Sequence, residues 1–204
     1  MSPEHSVGTG RFVGIVFWGD ERDDLVNAEP LAFLIAMLLD QQIPLSWAFD
    51  GPNRIVERTS EALDAARIAA MDPDRFAELA ATKPAIHRYH RSMAGRIQAL
   101  CAHIDEQHEG DAGSIWSGGV ATSTIAKRLS ALPGFGPEKV KITIAALAKR
   151  YDVRPRGWKT ASAPFSDDEP RSVADIGSPE DFATVKAWKK QQKDAGLDKH
   201  DAPA

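Results

Sequence analysis

Cysteine is almost missing: Cys101 is the only one in the chain. A single thiol excludes an internal disulfide and a four-cysteine iron–sulfur cluster held by this chain alone, and it fits a reducing compartment. Long apolar runs are also missing, and none reaches the roughly 20 residues that a bilayer-spanning helix needs. Residues 1–11 hold no apolar signal core and read as a disordered tail, so the expected location is the cytoplasm. Alternating β-branched runs are scarce, which turns the reading towards helices. His87 and His90 stand three apart, but no cysteine or carboxylate stands at matching spacing. Helix-surface histidines are therefore expected, and no structural transition metal. A positive balance is lacking as well: the formal net charge is −4 at pH 7, a sum that argues against nucleic acid.

What is present changes that reading. The chain has 204 residues and is 43% hydrophobic, enough for one substantial core. Its charge is unevenly spread. Between Lys127 and Lys159 there are nine basic residues, opposed only by Glu138 and Asp152. The basic stretch surrounds Leu132-Pro133-Gly134-Phe135-Gly136-Pro137, set between two amphipathic patterns. Pro133 ends the first helix, because the residue before a proline is pushed out of the α region. Gly134 and Gly136 permit positive φ and present no Cβ to an approaching group. Pro137 suits the first turn of the second helix. The spacing predicts a tight hairpin with outward N–H groups at a helix N-terminus, which is a phosphate site, with Lys139 and Lys141 just behind it.

The rest of the chain reads as a helical string. Residues 12–18 are apolar and suit a short strand or a buried extended arm. Residues 20–24 are polar punctuation. Pro30 opens a helix that is apolar nearly all round through Leu39, so it is buried. It runs into Asp40-Gln41-Gln42-Ile43-Pro44. Residues 45–58 form the next helix, with a kink or break at Gly51-Pro52. Shorter helices follow at 62–70 and 74–81, the second capped by Asp72-Pro73. Residues 87–108 carry Met93, Ile97, Leu100, Cys101 and Ile104 as a core-facing stripe. Residues 109–119 are a loop around Trp116. Past Arg150 the composition turns to Pro, Gly, Ser and Asp, and residues 154–171 read as one long loop. Residues 172–176 are a short element. A surface helix at 181–194 carries Phe182, Val185 and Trp188 on one side.

Ile35 to Gln42 resembles the apolar-helix-plus-Gln-Gln motif of the helix–hairpin–helix/Gly-Pro-Asp superfamily of DNA glycosylases. Leu132 to Gly136 resembles its hairpin, in the order that superfamily uses. The likeness covers residues 30–158 and is strongest to an actinobacterial branch that shares the Asp-Gln-Gln-Ile-Pro and Leu-Pro-Gly-Phe-Gly strings. The resemblance implies an all-α, two-lobed fold. It would comprise an arm over 1–29, a core over 30–153 with the hairpin motif at about 121–150, and a loop and C-terminal helix over 154–204. It implies a monomer that binds duplex DNA across a cleft and extrudes a nucleotide, since the glycosidic bond cannot be reached inside the stack. Gln41, Gln42, Gly134, Phe135, Gly136, Lys139 and Lys141 would contact DNA, with Gln42 filling the gap left by the extruded nucleotide. No cofactor would be required, although K+ or Na+ would sit on the backbone carbonyls of Ser130, Leu132 and Phe135.

The catalytic positions depart from the family pattern. Its aspartate would fall at Arg156, Gly157 or Trp158, its Schiff-base lysine at Glu138, and the glutamate of its adenine-excising branch at Met37. A glycosylase still needs a carboxylate to stabilise an oxocarbenium-like sugar or to position water. Asp175, Asp40 and Asp152 are the candidates, Asp175 foremost. Each also has a plain structural reading: Asp175 as a cap, Asp40 as a helix-end residue, Asp152 as a partner of Arg150 or Arg154. Trp158 would stack on an extruded base or pack in the core. The expected activity is monofunctional base excision. The alternative is a non-catalytic binder of damaged or abasic DNA.

Overall fold

A computed structural model describes residues 14–197 and His200. Residues 1–11 and the first two residues of the expected arm, Phe12 and Val13, lie outside these. Among the described residues the protein is all-α, with no strand. No helix there is long and apolar enough to cross a membrane.

The expected arm is extended and buried rather than a strand. Ile15 and Phe17 enter the core. Asn27 holds Ile15 from both sides, its Oδ1 accepting the Ile15 N–H and its Nδ2 donating to the Ile15 carbonyl, each at 2.8 Å. The buried Asp23 carboxylate accepts the N–H groups of Phe17, Trp18 and Gly19. Side chains thus supply most of the hydrogen bonds a neighbouring strand would give, and the Val16 N–H donates to the Ile176 carbonyl at 3.3 Å. Where polar punctuation was expected, Asp20 caps a 3-10 turn at Glu21–Asp23 that leads into α1 (Asp24–Ala28). So short a helix shows no apolar period in the sequence.

α2 (Pro30–Leu39) is the centre of the fold. Every residue from Leu31 to Leu39 is buried, and α1, α3 (Leu45–Thr59) and α6 (His90–His108) pack around it. The expected break at Gly51-Pro52 does not occur, and α3 runs through both residues. Pro52 leaves one helical hydrogen bond unmade, but Gly51 brings the helix against α2. A Cβ there would lie 2.3 Å from Leu39 Cδ1. α4 (Ala65–Ala70) and α5 (Pro73–Ala81), capped by Asp64 and Asp72, pack on α6. The α6 stripe of Met93, Ile97, Leu100, Cys101 and Ile104 is buried as its spacing requires.

α7 (Thr122–Ala131) and α8 (Pro137–Arg150) flank the glycine hairpin. Residues 154–171 are not one continuous loop. Gly157, at φ +89, turns the chain into α9 (Trp158–Ser162), which packs on α7 and α8. α10 (Pro179–Asp194) buries Val185 and Trp188. One contiguous apolar core joins these helices.

Candidate nucleic-acid interface

The hairpin follows from its prolines and glycines. Leu132 sits in the extended region at φ −68, ψ 132, as Pro133 demands. Gly134 has φ +84, and a Cβ on it would lie 2.4 Å from Leu38 Cδ1 of α2. Both facts require glycine. The Phe135 N–H donates to the Leu132 carbonyl at 3.1 Å, and the Phe135 ring is buried beneath the turn. Gly136 is different. Its φ of −71 and ψ of 169 suit any residue, and a Cβ there would meet nothing within 4 Å. It is the N-cap of α8 and supplies no side-chain cap. The bare Cα therefore adds no side chain over the N-terminus of a 14-residue helix, the end that carries the positive pole of the helix dipole.

The Gln-Gln turn stands beside it, at the C-terminus of α2. Gln41 is held on three sides. Its Nε2 donates to the Leu38 carbonyl at 2.7 Å, its Oε1 accepts from Arg96 at 2.9 Å, and its carbonyl meets His87 Nε2 at 2.8 Å. His87 is fully buried. Its Nδ1 receives the Tyr89 backbone N–H at 2.9 Å, so the ring proton lies on Nε2 and donates to Gln41. Burial pushes the His87 pKa below its ordinary value, Arg88 and Arg96 add to the effect, and the Gln41 carbonyl opposes it. Gln42, anchored through its neighbour, takes φ +57 and is exposed. A glutamine in this region is strained backbone, and it presents the amide outwards.

Turn and hairpin face one cleft of about 490 Å3. Asp40, Gln41, Gln42, Gly134, Gly136 and Lys139 all line it. Lys139 turns inwards, its Nζ donating to the carbonyls of Met37 and Asp40 and so tying α8 to the end of α2. Lys141, about 200° further round α8, lies outside the lining and is half-buried. The carbonyl-bearing residues Ser130, Leu132 and Phe135 also lie outside it.

The three candidate acids differ sharply in position. Asp175 closes a capping box with Ser172, whose N–H donates to Oδ2 at 2.9 Å, and its Oδ1 pairs with Lys149 at 2.6 Å. Burial raises its pKa, against the lowering effect of Lys149. Its neighbours Ser172 and Val173 line the cleft, but Asp175 does not. Asp152 is exposed and paired with Arg154 at 3.3 Å. Asp40 alone of the three lies in the cleft wall, and its carboxylate has no hydrogen-bond or ion-pair partner among the described residues. Trp158 is half-buried against the core with Lys159 over its ring at 5.9 Å, and it lies outside the cleft.

Several residues that the sequence reading passed over belong to this site. Lys189 and the buried Arg171, which is paired with Asp167 at 2.8 Å, line the cleft together with Glu138. Arg96 braces the turn, and so does His87, which was expected on a helix surface but precedes α6 and is buried. Tyr89, 48% exposed, stands on the far side of the turn with the Arg88 guanidinium 4.7 Å from its ring. The Ser172-to-Asp175 spacing is a capping-box signal that identifies Asp175 as structural. No comparable local signal marks the others. Comparison with protein-family models, with characterised proteins and with solved structures gave no match.

Proposed function

We propose that this chain binds duplex DNA at the hairpin, receives an extruded nucleotide in the cleft, and acts in base-excision repair as a monofunctional glycosylase. The carrying observation is Gly136. Neither its φ nor its surroundings call for glycine, yet the position carries no capping side chain at the positive end of α8, in the same cleft as the strained, outward Gln42. A backbone phosphate fits the first feature and a gap-filling amide the second. The cleft volume falls in the usual range for a small-molecule site. K+ or Na+ on the carbonyls of Ser130, Leu132 and Phe135 belongs to the same reading.

Asp40 replaces Asp175 as the proposed acid, because it lies in the cleft and no other group holds its carboxylate. Its negative charge would stabilise the sugar as the C1′–N bond breaks, and water would then add at C1′. Glu138 at the Schiff-base position removes an amine nucleophile from that place. The binding-only reading also has support, since Asp175 and Asp152 are both engaged elsewhere. Single-turnover assays on a panel of modified duplexes decide between the two. Asp40→Asn should retain binding while base release falls by about 10²-fold or more. Full activity in Asp40→Asn removes that residue from the chemistry. Absence of base release from every duplex in the wild type leaves the binding-only reading.

A further inference from the structure

A second cavity lies apart from the cleft. It measures about 660 Å3, lies among α3, α4 and α5, and shares no lining residue with the cleft. Three arginines line it, Arg58, Arg67 and Arg75, against one carboxylate, Glu61, so it carries a surplus of two positive charges. Arg67 pairs with Glu61 at 2.6 Å and donates to the Ala62 carbonyl, but its Nε is buried with no acceptor. A buried donor without a partner is costly and uncommon. The Arg75 guanidinium has no partner among the described residues; only its backbone N–H is engaged, by Asp72 at 2.9 Å. Arg58 is fixed by the carbonyls of Leu79 and Pro84. Burial and the nearby Arg54 push its pKa down, a tension that an anion relieves. Ala70, Met71 and Leu79 give the cavity an apolar side.

We propose that this cavity is a second ligand site, which takes a terminal phosphomonoester joined to a flat, largely apolar ring body. Guanidinium forks match phosphate oxygens in pairs. A terminal phosphate carries about −1.5 to −2 charges at pH 7 and answers the surplus of two, whereas an internal phosphodiester carries only one. The apolar side receives the ring. A free nucleoside 5′-monophosphate and a 5′-phosphorylated strand end share this chemistry.

The test is calorimetric titration of the full chain with adenosine monophosphate, with inorganic phosphate, and with a short single strand bearing either a 5′-phosphate or a 5′-hydroxyl. The wild type should saturate one-to-one with the monophosphate, and more weakly with phosphate alone. Arg75→Ala, which removes an exposed side chain, and Arg67→Gln should each weaken binding about tenfold or more. Gly136→Asp should bind the monophosphate as the wild type does. A phosphorylated strand that outbinds both the hydroxyl strand and the free nucleotide identifies a strand end as the ligand. Equal binding of strand and nucleotide identifies the free phosphomonoester. No saturation by any probe, unchanged affinity in both arginine variants, or loss of binding in Gly136→Asp overturns the proposal. The last result would place the phosphate at the hairpin instead.

Discussion

Two glycines on either side of Phe135 do different work. Gly134 combines φ +84 with close approach to Leu38, so Gly134→Ala should destabilise the fold by about 1–3 kcal/mol through overpacking and backbone strain. Gly136→Ala should leave stability nearly unchanged, because its φ is ordinary and its surroundings are open. Urea unfolding of the two variants checks this, and equal losses would contradict it. His87 gives a second residue-level test. The unfolded chain protonates near the ordinary 6.5, and the folded-state pKa lies lower. His87 therefore contributes stability above pH 6.5, and that contribution shrinks as pH falls through 6.5 towards the folded value. Protonating Nδ1 would also set a proton against the Tyr89 N–H. The His87 titration followed by NMR should have its midpoint below 6.5, and a midpoint at or above that value would contradict the account.

At the scale of elements, the decisive joint lies between α2 and α8. Lys139 Nζ reaches carbonyls at the end of α2, which would otherwise be unmatched helix-terminal acceptors. Lys139→Met keeps the stem but removes the donors. It should cost about 1–3 kcal/mol of stability and weaken DNA binding in parallel, because the joint sets hairpin against turn. Unchanged urea stability would show that the joint carries no load. This contact spans 102 residues of sequence and the His87–Gln41 contact spans 46, so neither leaves a local trace in the chain. Proline, glycine and capping signals act within a few residues. That is why the hairpin, the wholly buried α2 and the α5 cap are legible in the sequence. Short helices such as α1 and α9 are not, and neither is the inward turn of Lys139. The continuity of α3 through Pro52 depends on packing against α2, which no local signal reports.

For the whole molecule, the net charge of −4 is a poor guide, because some cationic side chains are gathered around two features. Lys139, Arg171 and Lys189 meet in the cleft, and Arg58, Arg67 and Arg75 meet in the second cavity. Asp40 and Glu138 line the cleft as well, and Arg171 is paired with Asp167 at 2.8 Å, so DNA binding should rest on phosphate contacts at the hairpin and depend strongly on salt, since each such contact releases counterions. The most direct measurement is fluorescence anisotropy of an abasic-site duplex, titrated with wild type and with Gly136→Asp across a salt series, alongside the melting curves of both proteins. The wild type should bind with affinity that falls steeply as salt rises. Gly136→Asp should lose binding by about 10²-fold or more while melting at or above the wild type, because a carboxylate then caps α8 and occupies the place of the phosphate. Wild-type binding that ignores salt, or a Gly136→Asp protein that binds as well as the wild type, would contradict the claim that the hairpin grips DNA.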